Sequence, residues 1–226
     1  LVNHFPEKKL AVENTDFLKT WENILNHAAI FGNENAVNSL VSRARPVSFE
    51  NPDGIGIEIY DSFAGRIPVI STQGVNDFEN LVTNIVHKGV RPDNISKTGA
   101  SFVFGKTTRF IILSDKFYSN VPASELGLDM TDEKWRELSV VLRRECVHYY
   151  TLQNYGVSKN HLHDELMADF FGIHEAFGYY KADFFLHFLG VKGTTGDRLK
   201  CYIPDCSDGL YKELCLKAES CAAFLE

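Results

Sequence analysis

The stretch that decides the reading of this chain is Leu142-Arg143-Arg144-Glu145-Cys146-Val147-His148, followed by Glu165-Leu166-Met167-Ala168-Asp169-Phe170-Phe171-Gly172. Taken as a helix turning about 100° per residue, Leu138, Val141, Leu142, Glu145, His148, Tyr149 and Leu152 fall within one arc of roughly 120°. Glu145 and His148 therefore point the same way as the apolar residues. A carboxylate on a buried face is costly unless it is paired, hydrogen-bonded or bound to metal. Arg144 lies at the edge of the same arc, whereas Arg143 points away from it. In the second segment Glu165, Ala168, Asp169, Gly172 and Ala176 share one face. The small residues on that stripe let a neighbouring helix approach closely. The preceding helix is the economical partner, and packing against it would bring Glu165 and Asp169 to Glu145 and His148.

A Glu-x-x-His helix followed by a Glu-x-x-x-Asp helix resembles the gluzincins, the zincin metallopeptidases that include the thermolysin-like enzymes. In that family the first helix reads His-Glu-x-x-His. The resemblance covers about residues 101–176 and implies zinc-dependent peptide hydrolysis. It makes His148 and Glu165 metal ligands, Glu145 the general base that activates a zinc-bound water, and Asp169 the acid that orients a histidine ligand. It also implies a small sheet just before the helix pair, with peptide bound along its edge strand. The chain departs from the pattern at Arg144, which stands at the first histidine position. A guanidinium keeps its proton and has no lone pair for a metal. Arg144 would instead pair with Asp169.

Two function classes follow. One is a zinc peptidase centred on Glu145, His148 and Glu165, acting on a peptide or protein substrate. The other is a catalytically degenerate zincin-like interaction domain, with an Arg144–Asp169 salt bridge in place of the metal and a peptide or protein as partner. His161 and His163 flank the start of the second helix, either as solvent-exposed residues or as an additional ligand or hydrogen-bond donor. With them, Glu145, His148 and Glu165 would also suit a Glu/His iron or manganese site, although a di-iron bundle needs two Glu-x-x-His motifs and the chain has one. The plain alternative is that these residues form a buried polar network and nothing more.

Outward from the motif, Ser101 to Phe104 and Arg109 to Leu113 read as a hairpin with Gly105 and Lys106 near its turn. Alternating Ile55, Ile57 and Ile59, then the run Ile67 to Ile70, read as two more strands. Phe17, Leu18, Trp21, Ile24, Leu25 and Ala28 recur at helical spacing, and Ala36 to Val41 make a shorter helix. Asn76 and Glu79 have capping-box spacing at the start of another. Thr131 is the expected N-cap of the motif helix, which should run to about Leu152. The second motif helix should end at Phe177, with further helices over Tyr180 to Leu189 and Gly209 to Phe224. Gly190 to Asp205 reads as loop. Helices, a small sheet, then helices make an α+β fold, and no linker cuts the 226 residues into separate domains.

Composition bounds the function. A 44% hydrophobic and 23% charged chain is ordinary for a globular protein. A net charge of −7 without a dense Lys/Arg block argues against nucleic acid as a partner. Apolar runs such as Phe110 to Leu113 are too short to span a membrane. Cys146 lies inside the motif, and Cys201, Cys206, Cys215 and Cys221 crowd the last 26 residues at a spacing unlike a zinc ribbon. Free thiols and the lack of a secretory signal pattern point to the cytoplasm. A start at Leu1 rather than Met leaves a trimmed leader, secretion and disulfides in the tail compatible with the sequence.

Overall fold

A computed structural model describes residues 16–41, 45–93, 95–104, 108–138, 140–156, 162–193, 198–203 and 205–226. The fold is α+β: helices precede and follow a small mixed sheet. The chain, read above as one domain, packs as two compact units that meet in sequence between Lys116 and Phe117. The stretch covered by the peptidase resemblance runs from one unit into the other.

In the first unit, α1 (Asp16–Phe31) buries Phe17, Leu18, Trp21, Ile24 and Ala28, the stripe its periodicity marks. A short α2 (Asn33–Asn38) follows. Strands β1 (Ile55–Ser62) and β2 (Gly65–Thr72) form an antiparallel hairpin whose register runs from Ile55 opposite Thr72 to Ser62 opposite Gly65. After α3 (Val75–Leu81), β3 (Ala100–Val103) and β4 (Phe110–Leu113) make the second hairpin; its expected turn at Gly105 and Lys106 lies outside the described residues. Parallel pairing of β2 with β4 joins the hairpins in the order β1-β2-β4-β3. That ladder begins at Val69, just after Pro68, which has no N–H to contribute. Consecutive residues Ile67 to Ile70 are all buried, so both faces of β2 are covered. Trp21 and Phe110 meet in this core with ring centroids 4.9 Å apart.

The capping box expected at Asn76 and Glu79 does not form. Gly74 is the N-cap of α3, and the Asn76 amide donates to Glu50 instead. Glu79 is buried and pairs with Arg91 and Lys116, because two cations compete better for a buried carboxylate than one backbone N–H.

The second unit is helical. Thr131 caps α4 (Asp132–Glu137) as expected, accepting from the Lys134 N–H. The single helix expected from Thr131 to Leu152 is two helices, α4 and α5 (Val140–Tyr155). They answer to different anchors. Trp135 donates its indole N–H to the Val121 carbonyl at 2.8 Å and stacks on Phe188, whereas α5 packs on α6 (Leu162–Phe177). After α7 (Ala182–Leu189), the region read as loop contains α8 (Arg198–Tyr202), and α9 (Asp208–Leu225) closes the unit with Ser207 as its N-cap. The five cysteines are free thiols. No helix among the described residues is long and apolar enough to cross a membrane.

At Gly172, α6 lies close against α5. A Cβ there would stand 3.1 Å from the Arg144 Cβ and 3.4 Å from its Cα and backbone nitrogen. Those atoms belong to a helix and cannot turn aside. Gly172→Val is therefore expected to destabilise the protein by about 1–3 kcal/mol through overpacking, read as a lower urea midpoint at unchanged slope.

Candidate functional site

The helix pair brings together Arg144, Glu145 and His148 from α5 with Glu165 and Asp169 from α6, and all five are buried. His161 lies outside the described residues, as does the side chain of His163. Residues of the two stripes face each other because Ala168 and Gly172 have too little side chain to hold the helices apart.

Arg144 bonds three acids at once. Its Nε donates to Asp169 Oδ1 at 2.8 Å, its Nη1 to Glu145 Oε1 at 2.8 Å, and its Nη2 to Glu165 Oε2. The salt bridge expected between Arg144 and Asp169 is thus present, as one arm of a larger fork. Removing a positive charge from water is costly, and three carboxylates in hydrogen-bonding contact offset that cost.

Asp169 is the hub on the other side. Its Oδ1 accepts from Arg144, from the Tyr118 hydroxyl and, at 2.9 Å, from Arg198 Nη2. Arg198 comes from α8. Its Nε donates to the Tyr202 hydroxyl at 2.5 Å, and its Nη1 reaches the Tyr118 hydroxyl at 2.9 Å, Ser119 Oγ at 3.1 Å and the Phe188 carbonyl at 3.4 Å. Tyr202 donates in turn to Glu165 Oε2 at 3.0 Å. Each tyrosine hydroxyl accepts from Arg198 and donates to a carboxylate of α6.

The second side of the cluster is His148. Its Nδ1 lies 2.6 Å from Asp164 Oδ2, and Thr151 Oγ1 donates to the other oxygen of the same carboxylate. His148 Nε2 is buried without a hydrogen-bond partner among the described residues and stands 3.8 Å from Glu165 Oε2. Asp169 Oδ2 is likewise without a donor.

The charges are mutually fixed. Burial opposes the ionised form of Asp169, but Arg198 and Arg144 outweigh it and hold the carboxyl below the usual range. Burial also works against both guanidiniums. The Asp169 carboxylate, bonded to both, offsets it, so both bind their protons more tightly than in water. Burial pushes the Tyr118 hydroxyl up, which keeps it a neutral donor to Asp169.

Arranged this way the donors do not fit a zinc ion. Glu165 Oε2 already accepts from Arg144 and Tyr202, Glu145 is held by Arg144, and the guanidinium that joins them has no lone pair to give. Among the described residues no group of three or more His, Cys, Asp or Glu side chains is placed to hold a metal.

The sequence reading missed Asp164, Thr151, Tyr118, Arg198 and Tyr202. Asp164 had a signal: it lies about 40° round the helix from Ala168, on the edge of the packed stripe. Arg198 and Tyr202 are one helical turn apart, but nothing local tells that their segment returns to α6. Tyr118 sits in a turn whose neighbours Ser119 and Asn120 both have positive φ, and it carries no motif.

Removing the Arg144 charge while keeping its bulk leaves buried acids uncompensated. Arg144→Met is expected to cost about 3–5 kcal/mol in urea unfolding. The depressed Asp169 group fixes the sign of the acid dependence. Its contribution is complete above the unfolded value of about 3.9, shrinks as pH falls through the folded value, and is gone in stronger acid. Asp169→Asn should flatten the fall in urea midpoint below about pH 4.

Among known proteins, a family of unknown function (DUF7005) matches residues 27–109 and 106–214. No curated protein and no solved structure matches the chain. The peptidase resemblance therefore rests on the motif residues themselves.

Proposed function

The chain belongs to the DUF7005 family, and for it we propose a peptidase-like binding domain in which Arg144 stands in place of a metal ion and the partner is a peptide or protein. One observation carries this reading. The Arg144 guanidinium bonds Glu145, Glu165 and Asp169 together, the three acids to which the resemblance gives catalytic, ligating and orienting roles. A guanidinium neutralises carboxylates as a cation would. It offers only N–H groups, so it cannot ligate and activate a water. Glu145 Oε1 is engaged by the same guanidinium.

The second reading is a metal-dependent peptidase. It draws on His148 Nε2, which has no hydrogen-bond partner among the described residues and lies near Glu165. It requires the Arg144 side chain to leave the core.

Metal analysis by mass spectrometry separates the two, using protein dialysed against micromolar zinc. The expected result is no stoichiometric transition metal in the native protein and a gain of zinc binding in Arg144→His that Glu165→Gln removes. One equivalent of zinc in the native protein, together with a peptidase activity abolished by Glu145→Gln, would replace the binding reading with the enzymatic one.

A further inference from the structure

The two guanidiniums of the cluster are held very differently. Arg144 belongs to the sixteen-residue α5, and its side chain is 10% exposed. Arg198 rides on the five-residue α8, in which Leu199 alone is buried, and its side chain is 20% exposed. A helix this short has no stability of its own and stays in place through its side-chain anchors. Arg198 is thus the outer and more easily released of the pair.

The groups around Arg198 form a recognition site that exists largely without α8. Asp169 and Glu165 come from α6, Tyr118 and Ser119 from the turn before α4, and the Phe188 carbonyl from the last turn of α7. The guanidinium carbon stands 5.3 Å from the centroid of the Tyr118 ring, within cation–π range. This combination suits a planar, forked cation and not a compact ammonium. The site is also incompletely used. Three donors crowd Asp169 Oδ1, whereas Oδ2 of this fully buried carboxylate has none among the described residues. A guanidinium entering on its own would have both oxygens to choose from.

We propose that Arg198 is a tethered occupant of a guanidinium-binding subsite, and that the same subsite takes the arginine side chain of a peptide partner when α8 leaves it. This rests on the reading of the domain as a binding module and names the chemistry that it binds. In the closed form, Arg198 and Tyr202 shield Glu165 and Asp169 from solvent and from other cations. In the open form, the incoming arginine replaces the charge that α8 withdraws, so the acids of α6 remain compensated throughout.

The test is chemical rescue. Arg198→Ala is expected to melt several degrees below the native protein. Millimolar methylguanidinium should recover most of that loss, equal methylammonium should recover little, and neither should shift the native protein. No gain specific to methylguanidinium would overturn the proposal. Should Arg198→Ala fail to fold, Leu199→Ala loosens α8 and keeps the charge. Isothermal titration should then show a Gly-Arg-Gly peptide binding this variant more tightly than Gly-Lys-Gly, and equal or absent binding would overturn the proposal. Stoichiometric zinc in the native protein would defeat the binding-module reading whatever the rescue shows. Absent rescue in metal-free protein would defeat the subsite alone.

Discussion

Asp169 Oδ1 is the atom on which the helical unit converges. A carboxylate buried between two helices must be neutralised, and here Arg144, Arg198 and Tyr118 all donate to the same oxygen. Each donor brings a different piece of chain. Arg144 ties α5 to α6, Tyr118 ties in the turn before α4, and Arg198 ties in α8 and, through the Phe188 carbonyl, the end of α7. The small residues Ala168 and Gly172 are a condition of this arrangement, because a fork as short as the Arg144 guanidinium reaches three acids only if the helix axes are close.

A cation and a metal ion solve the same electrostatic problem with different chemical consequences. Either gathers carboxylates from two helices. A metal leaves an open coordination position where water can be ionised, whereas a guanidinium spends its charge through N–H groups in one plane. Arg144 gathers the acids and fills the space between them with a fixed donor set. The tyrosines extend that logic outward, since each relays Arg198 to a carboxylate of α6 through a neutral hydroxyl.

The local patterns carried a good part of this. The two inward-facing stripes, the closeness of Arg144 to Asp169 and the Thr131 cap were all legible, because each depends on helical periodicity over a few turns. Other features were not. Asn76 and Glu79 have capping-box spacing, yet Glu79 goes to Arg91 and Lys116, which lie far along the chain. The break between α4 and α5 has no Gly or Pro to announce it; Trp135 and Arg144 answer to separate anchors. The polar stretch holding Arg198 and Tyr202 reads as loop because its helix is short and is held by contacts with α6.

The sequence by itself determined the α+β order, the four strands with one hairpin among them, and a helix pair with acids and a histidine turned inward, since alternation and helical spacing act through neighbours in the chain. Only the tertiary structure decided what those buried groups do with one another. It joined two guanidiniums to one carboxylate, set Asp164 on His148 and, among the described residues, left Asp169 Oδ2 without a donor. The physical reason is that a buried charge is settled by whichever partner the fold brings within about 3 Å, and that partner carries no trace in the local pattern.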